Sequence, residues 1–223
     1  MIVRAVLCGL LGALLAPTVS AAQNQIPDID YEHLSFRGVG IDIGYMYPDR
    51  VEPTQTYGLR FDLGYAGPGL RIVPSVTYWK SPLEAAEIAD FNTKMEDLVE
   101  EQTGLPTTLD LGPIEYTDVG IGLDGHVVWS LPLGLLTFGG LGVTAHILDG
   151  DGPAINGTFI EDLIDSVTAG FNLHIGAEYP VSERFRVYSI GRYELMPDLR
   201  FFRVQLGWQI MTGPNAPGET RGG

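Results

Sequence analysis

Four histidines, His33, His126, His146 and His174, stand among 28 Asp and Glu residues and a single cysteine, Cys8. His33-Leu34-Ser35 places a base and a hydroxyl two residues apart, on one side of an extended segment, as nucleophilic catalysis would need. No acidic residue shares that face to orient the histidine, so chance spacing is the better reading. His126 shares alternate positions with Asp118 and Asp124, and His146 lies one strand further on. These side chains can bind a metal or relay protons, but in a face already rich in charge they read as packing partners. Asp149-Gly150-Asp151-Gly152 opens like a calcium loop yet lacks the later ligand positions of a twelve-residue site, and reads as a turn. Asn156-Gly157-Thr158 matches a glycosylation sequon and reads as a turn and helix cap. The expectation is therefore no enzyme, no catalytic residue, no metal and no cofactor.

The elements that carry these residues are strands. Eight stretches alternate apolar and polar with period two, near 36–47, 55–66, 69–80, 115–130, 133–148, 167–180, 184–195 and 200–211. Three connections are tight turns, at 66–69, 131–132 and 180–183. Between them fall two short connections, near 48–54 and 196–199, and two long ones, 81–114 and 149–166. The long ones are expected to carry helices, from Pro82 to Glu101 and from Thr158 to Val167.

One face of every stretch is apolar, as in Tyr57, Leu59, Phe61, Leu63 and Tyr65, or Phe202, Val204, Leu206, Trp208 and Ile210. The other face carries Asp42, Arg60, Asp62, Arg71, Asp118, Asp124, His126, His146, His174, Glu178, Arg186, Arg192, Glu194 and Arg203, interleaved with glycines. Arg60 and Asp62, flanked by Asp42 and Arg71, are expected to belong to one network. A soluble lipocalin-like barrel would turn the charged face outward, leaving a coat almost without lysine, since only Lys80 and Lys94 are present. A membrane barrel would turn it inward, where five arginines and six carboxylates nearly balance, as buried charges must. Aromatic residues gather at two levels: Tyr45, Tyr57, Tyr78, Tyr193 and Phe202 at one rim, and Tyr65, Trp129, Tyr179, Phe185 and Trp208 at the other. Membrane interfaces select such girdles.

Residues 1–22 have the anatomy of a secretory signal peptide: Arg4, an apolar run from Ala5 to Leu15, Pro17, then Ser20-Ala21-Ala22. The run is too short to span a membrane. Cleavage removes Cys8, and with it disulfide and thiol chemistry. A net charge of −15 argues against nucleic acid as a partner.

With these strands and faces, the sequence resembles the small outer-membrane β-barrel family, the OmpA/OmpX/Opa-type eight-stranded barrels. The resemblance covers residues 33–211, rests on pattern more than on a motif, and implies an all-β, eight-stranded antiparallel up-and-down transmembrane barrel with short helices in its extracellular loops. It also implies outer-membrane lipid and the outer-membrane assembly machinery as partners, and the outer membrane of a Gram-negative-type bacterium as location. Family members often finish on an aromatic residue used in assembly, whereas here Leu206-Gly207-Trp208-Gln209-Ile210-Met211 is followed by a Gly/Pro-rich tail. The organisation expected is a signal peptide (1–22), a periplasmic lead-in (23–32), the barrel (33–211) and a flexible tail (212–223). The function expected is structural or surface-interacting, with the loops mounted on a charge-filled barrel. A narrow porin-like channel and, further off, a lipid-modifying outer-membrane enzyme are the alternatives.

Overall fold

The computed structural model describes residues 34–106, 108–158, 160 and 165–212. The expected signal peptide, the lead-in, His33, the tail beyond Thr212 and, of the expected second loop helix, residues 159 and 161–164 lie outside the described residues.

Nine strand segments form one antiparallel sheet: β1 (Gly38–Pro48), β2 (Thr54–Asp62), β3 (Tyr65–Gly67), β4 (Leu70–Pro82), β5 (Glu115–Ser130), β6 (Leu136–Asp151), β7 (Ser166–Ser182), β8 (Phe185–Leu195) and β9 (Arg200–Met211). Each pairs with its sequence neighbour, and β1 pairs with both β2 and β9, which closes the sheet. Segments β2 and β3 both pair with β4 and make up a single barrel strand, so the barrel has eight. No helix among the described residues is long and apolar enough to cross a membrane, which says nothing of strands.

The strands alternate as their period dictates. In β9 the burial switches at every residue from Arg200 to Met211. Outward lie Ile41, Ile43, Ile121, Leu123, Leu141, Val143, Leu173, Ile175 and Leu206, all exposed. At the loop end this band is rimmed by Tyr45, Tyr57, Tyr78, Tyr193 and Phe202, and at the turn end by Tyr179, Phe185 and Trp208, all exposed, with Trp129 half-buried.

Three sequence expectations need correction. Tyr65 does not continue the outward face of β2 but is buried, packing with Val128, Phe138, Tyr188 and Ile190. The cause is the break at Leu63-Gly64. Gly64 adopts φ +75°, a conformation glycine takes without strain, and its N–H donates to Asp62 Oδ1 at 2.8 Å. The turn inserts an irregularity that inverts the alternation beyond it. Likewise, Ser166 and Val167 belong to β7 and not to the end of a second loop helix. The turn after β5 is also longer than expected: Pro132–Gly134 forms a 3-10 turn, closed by Leu131 N–H donating to Leu135 O at 2.7 Å.

The first long loop holds α1 (Ala85–Thr103), ended by Gly104 at φ +69°. Its buried Met95 packs with Leu111, Ile114, Ile155 and Ile160, so the two long loops share a small apolar core outside the barrel. Because the backbone bonds of the sheet close within the strands, replacing residues 85–110 with a short Gly/Ser linker should leave a folded barrel. Loss of the compact, fast-migrating species on unheated gels would show that α1 is needed for closure.

Candidate functional site

Inside the barrel the side chains meet across the bore. Glu178 on β7 is the hub of the turn-end half. Its Oε1 accepts from Arg60 Nη2 and Arg71 Nη2, both at 2.6 Å, its Oε2 accepts from Arg71 Nη1 at 2.9 Å, and Arg186 stands 3.6 Å away. Gln209 on β9 joins this hub to Asp62, accepting from Arg60 Nε at 2.9 Å and donating to Asp62 Oδ2 at 3.2 Å. Arg60 and Asp62 therefore do share a network, but the carboxylate that Arg60 contacts is Glu178, across the bore. Arg60 also lies 3.5 Å over the ring of Tyr188, whose hydroxyl donates to Asp42 Oδ2 at 2.9 Å.

Nearer the loop end, Arg192 grips Asp124 with both terminal nitrogens. Asn172 Nδ2 donates to the same carboxylate at 3.2 Å. His146 lies between two carboxylates, Asp118 at 2.9 Å and Glu194 at 3.4 Å. Arg203 has no carboxylate within 4 Å among the described residues and stands 5.8 Å from the ring of Phe201. All fourteen charged or imidazole residues singled out on the polar face are buried, none more than 9 % exposed. Glycines make the room: a Cβ on Gly58 would lie 2.6 Å from Asp42 Cγ, and one on Gly142 would lie 2.6 Å from Asn172 Nδ2. The cavity bounded by Asp42, Arg60, Asp124, Arg192 and Arg203 measures about 10 Å³, space for about one water.

Three of these residues could hold a metal by distance alone: ligand atoms of Asp124, His126 and His174 lie within 4.8 Å of one another. Their other contacts favour packing. Asp124 is taken by Arg192, and His126 Nδ1 faces the Arg71 guanidinium at 3.1 Å, so a divalent cation would enter between two arginines. His126 also stacks on Phe138 with ring centroids 4.4 Å apart.

The loop end of the bore is closed by apolar side chains. Met46, Trp79 and Phe201 point inward from β1, β4 and β9 and pack with Val51, Met196 and Leu199 of the short connections. Above this lid the two remaining sequence motifs act as turn chemistry. Asn156 accepts from Gly152 N–H at 2.9 Å and donates to Asp151 Oδ1 at 2.6 Å, which ties up the oxygen that a calcium loop would need. Sequence reasoning overlooked the uncharged members of the interior, Gln205, Gln209, Asn172, Tyr188 and the lid residue Trp79. Each sits at the same parity as the charges on its strand, and that parity is the signal by which they are found.

No protein-family model matches the sequence, and no curated protein matches it either. Solved structures do. Neisserial surface protein A matches 79 % of this chain and 97 % of its own, at 12 % identity with a TM-score of 0.54. The attachment invasion locus protein of Yersinia pestis covers 80 % of this chain and 99 % of its own at 9 % identity, TM-score 0.45. The N-terminal β-barrel domain of Pseudomonas aeruginosa OprF covers 78 % and 97 % at 11 % identity, TM-score 0.44. The chain has the fold of the small outer-membrane β-barrels. As an outer-membrane-type barrel it turns its apolar band outward and its charges into the bore, the reverse of a lipocalin-like arrangement.

Proposed function

We propose that the protein is an outer-membrane barrel with a closed bore, serving as a rigid mount for its surface loops and acting through them by contact, without catalysis or conduction. The observation that carries this reading is the interior. The bore is cross-linked from Glu178 to three arginines and covered by the Met46, Trp79 and Phe201 lid, which supports a barrel that does not conduct solutes. Placement in lipid is supported by the exposed aliphatic band between two aromatic rims, a surface that would be insoluble in water. The tight turns fall at one end and α1 with both long loops at the other; in barrels of this kind the short turns face the periplasm, which supports an extracellular position for the loops.

Cell fractionation tests the placement: the protein should leave the outer membrane only in detergent and run faster on gels unheated than boiled. Recovery in the soluble periplasmic fraction would overturn it. Planar-bilayer recording tests the closed bore. Purified protein should show no discrete conductance steps, and regular single-channel openings would favour the porin-like alternative.

A further inference from the structure

Strand β7 stands taller than its neighbour β8. On one side it pairs with β6 from Ser166 upward, whereas on the other its pairing with β8 begins only at Phe171, opposite Leu195. Residues Ser166 to Gly170 thus have a partner strand on one side alone, and among the described residues no backbone bond meets them from the other. Five residues at about 3.4 Å each leave an edge of about 17 Å. Every second residue turns both its N–H and its C=O toward that open side. Folded proteins blunt such edges with lysine, proline or a bulge. This one reads Ser-Val-Thr-Ala-Gly and has none, with Val167 76 % exposed.

The edge is also one wall of a cleft of about 440 Å³, whose other walls include Tyr116 and Leu148 from the barrel rim, Leu199 from the β8–β9 connection, and Glu87, Asp90 and Phe91 from α1. Gly170, like Asn172 and His174, faces the barrel axis, so a strand laid beside β7 would turn alternate side chains into this cleft. The surroundings are acidic. The described residues of segments 49–53, 80–115, 149–165 and 196–200 hold fifteen carboxylates and four cations. Three of those cations are already engaged: Lys80 with Glu115 at 2.6 Å, Lys94 with Asp90 at 2.6 Å, and Arg50 near Glu87 at 3.9 Å. A second copy of this chain would bring the same negative charge to the contact, whereas a basic segment would be drawn in.

We infer that Ser166–Gly170 is a docking edge for an extended basic segment of a partner protein, which adds as a strand beside β7 and places alternate apolar side chains in the cleft. This rests on the reading of the loops as the interacting end of the barrel.

The probe is an eight-residue capped peptide of alternating valine and lysine, titrated onto the full barrel in phosphatidylcholine nanodiscs. Two further peptides carry N-methyl groups on every valine or on every lysine. In an added strand only one of these sets faces β7, so one methylated peptide should bind at least about tenfold more weakly while the other binds like the parent. Amide exchange should slow at residues 166–170 when the parent peptide is bound. Equal binding by all three peptides would reduce the contact to charge attraction and overturn the inference, as would no binding of the parent peptide. Since the titration is done on reconstituted protein, such a failure leaves the membrane placement to be judged by fractionation.

Discussion

Glu178→Gln should destabilise the barrel more than any other single conservative change, by about 3–5 kcal/mol, because it leaves buried cations without their counter-charge. The side chain keeps its shape, so the loss isolates charge from packing. Arg60 and Arg71 approach Glu178 at 2.6 Å and Arg186 at 3.6 Å, and Glu178 has no exposed surface through which water could compensate. Adding Arg71→Met to Glu178→Gln should recover part of the loss, since one stranded guanidinium is removed, and the two changes should be strongly non-additive. Arg203→Met should behave differently. With no carboxylate within 4 Å among the described residues, that arginine contributes little pairing energy and its replacement should be close to neutral or stabilising. Urea unfolding of refolded protein in detergent measures these three variants and the single Arg71→Met. A Glu178→Gln barrel with the parent's midpoint would mean that the interior charges do not depend on one another.

The second large effect is expected on the opposite face. Val143 lies on β6 midway between the two aromatic rims, 58 % exposed, paired with Leu123 and Phe171. In a bilayer, Val143→Arg should cost about 2–4 kcal/mol, the range for a cation at the midplane of a lipid-facing strand. On a water-facing surface the same change would fall within about 0.5 kcal/mol of neutral. Unfolding measured in lipid vesicles therefore separates the two settings. A neutral result in vesicles would mean that the band does not meet hydrocarbon, and would remove the physical basis for placing the protein in a membrane.

Strand positions and faces were legible in the sequence because alternation is a local property. A residue's neighbours two positions away suffice to assign its side, and Asp118, Asp124 and His126, or Arg200 to Met211, could be sorted without knowing any partner strand. The first loop helix was legible for the same reason, its apolar residues recurring at helical spacing before Gly104. Tyr65 was misplaced where locality fails: the Gly64 turn inverts the alternation, and nothing in the apolar/polar pattern marks which glycine among 29 does so.

What only the tertiary structure decided is who meets whom across the bore. Arg60 and Glu178 are separated by 118 residues, Arg71 and Glu178 by 107, and their contact depends on how the strands stagger as the sheet closes. Stagger is a property of the ring of pairings, so no single strand encodes it. The unpaired edge of β7 has the same origin: alternation marks the strand only from about residue 168 onward, and only the structure shows that it begins at Ser166 and that its neighbour stops short at Leu195. The chain by itself therefore determined which side chains are buried, through a period of two residues, while closure of the barrel determined their partners, through register.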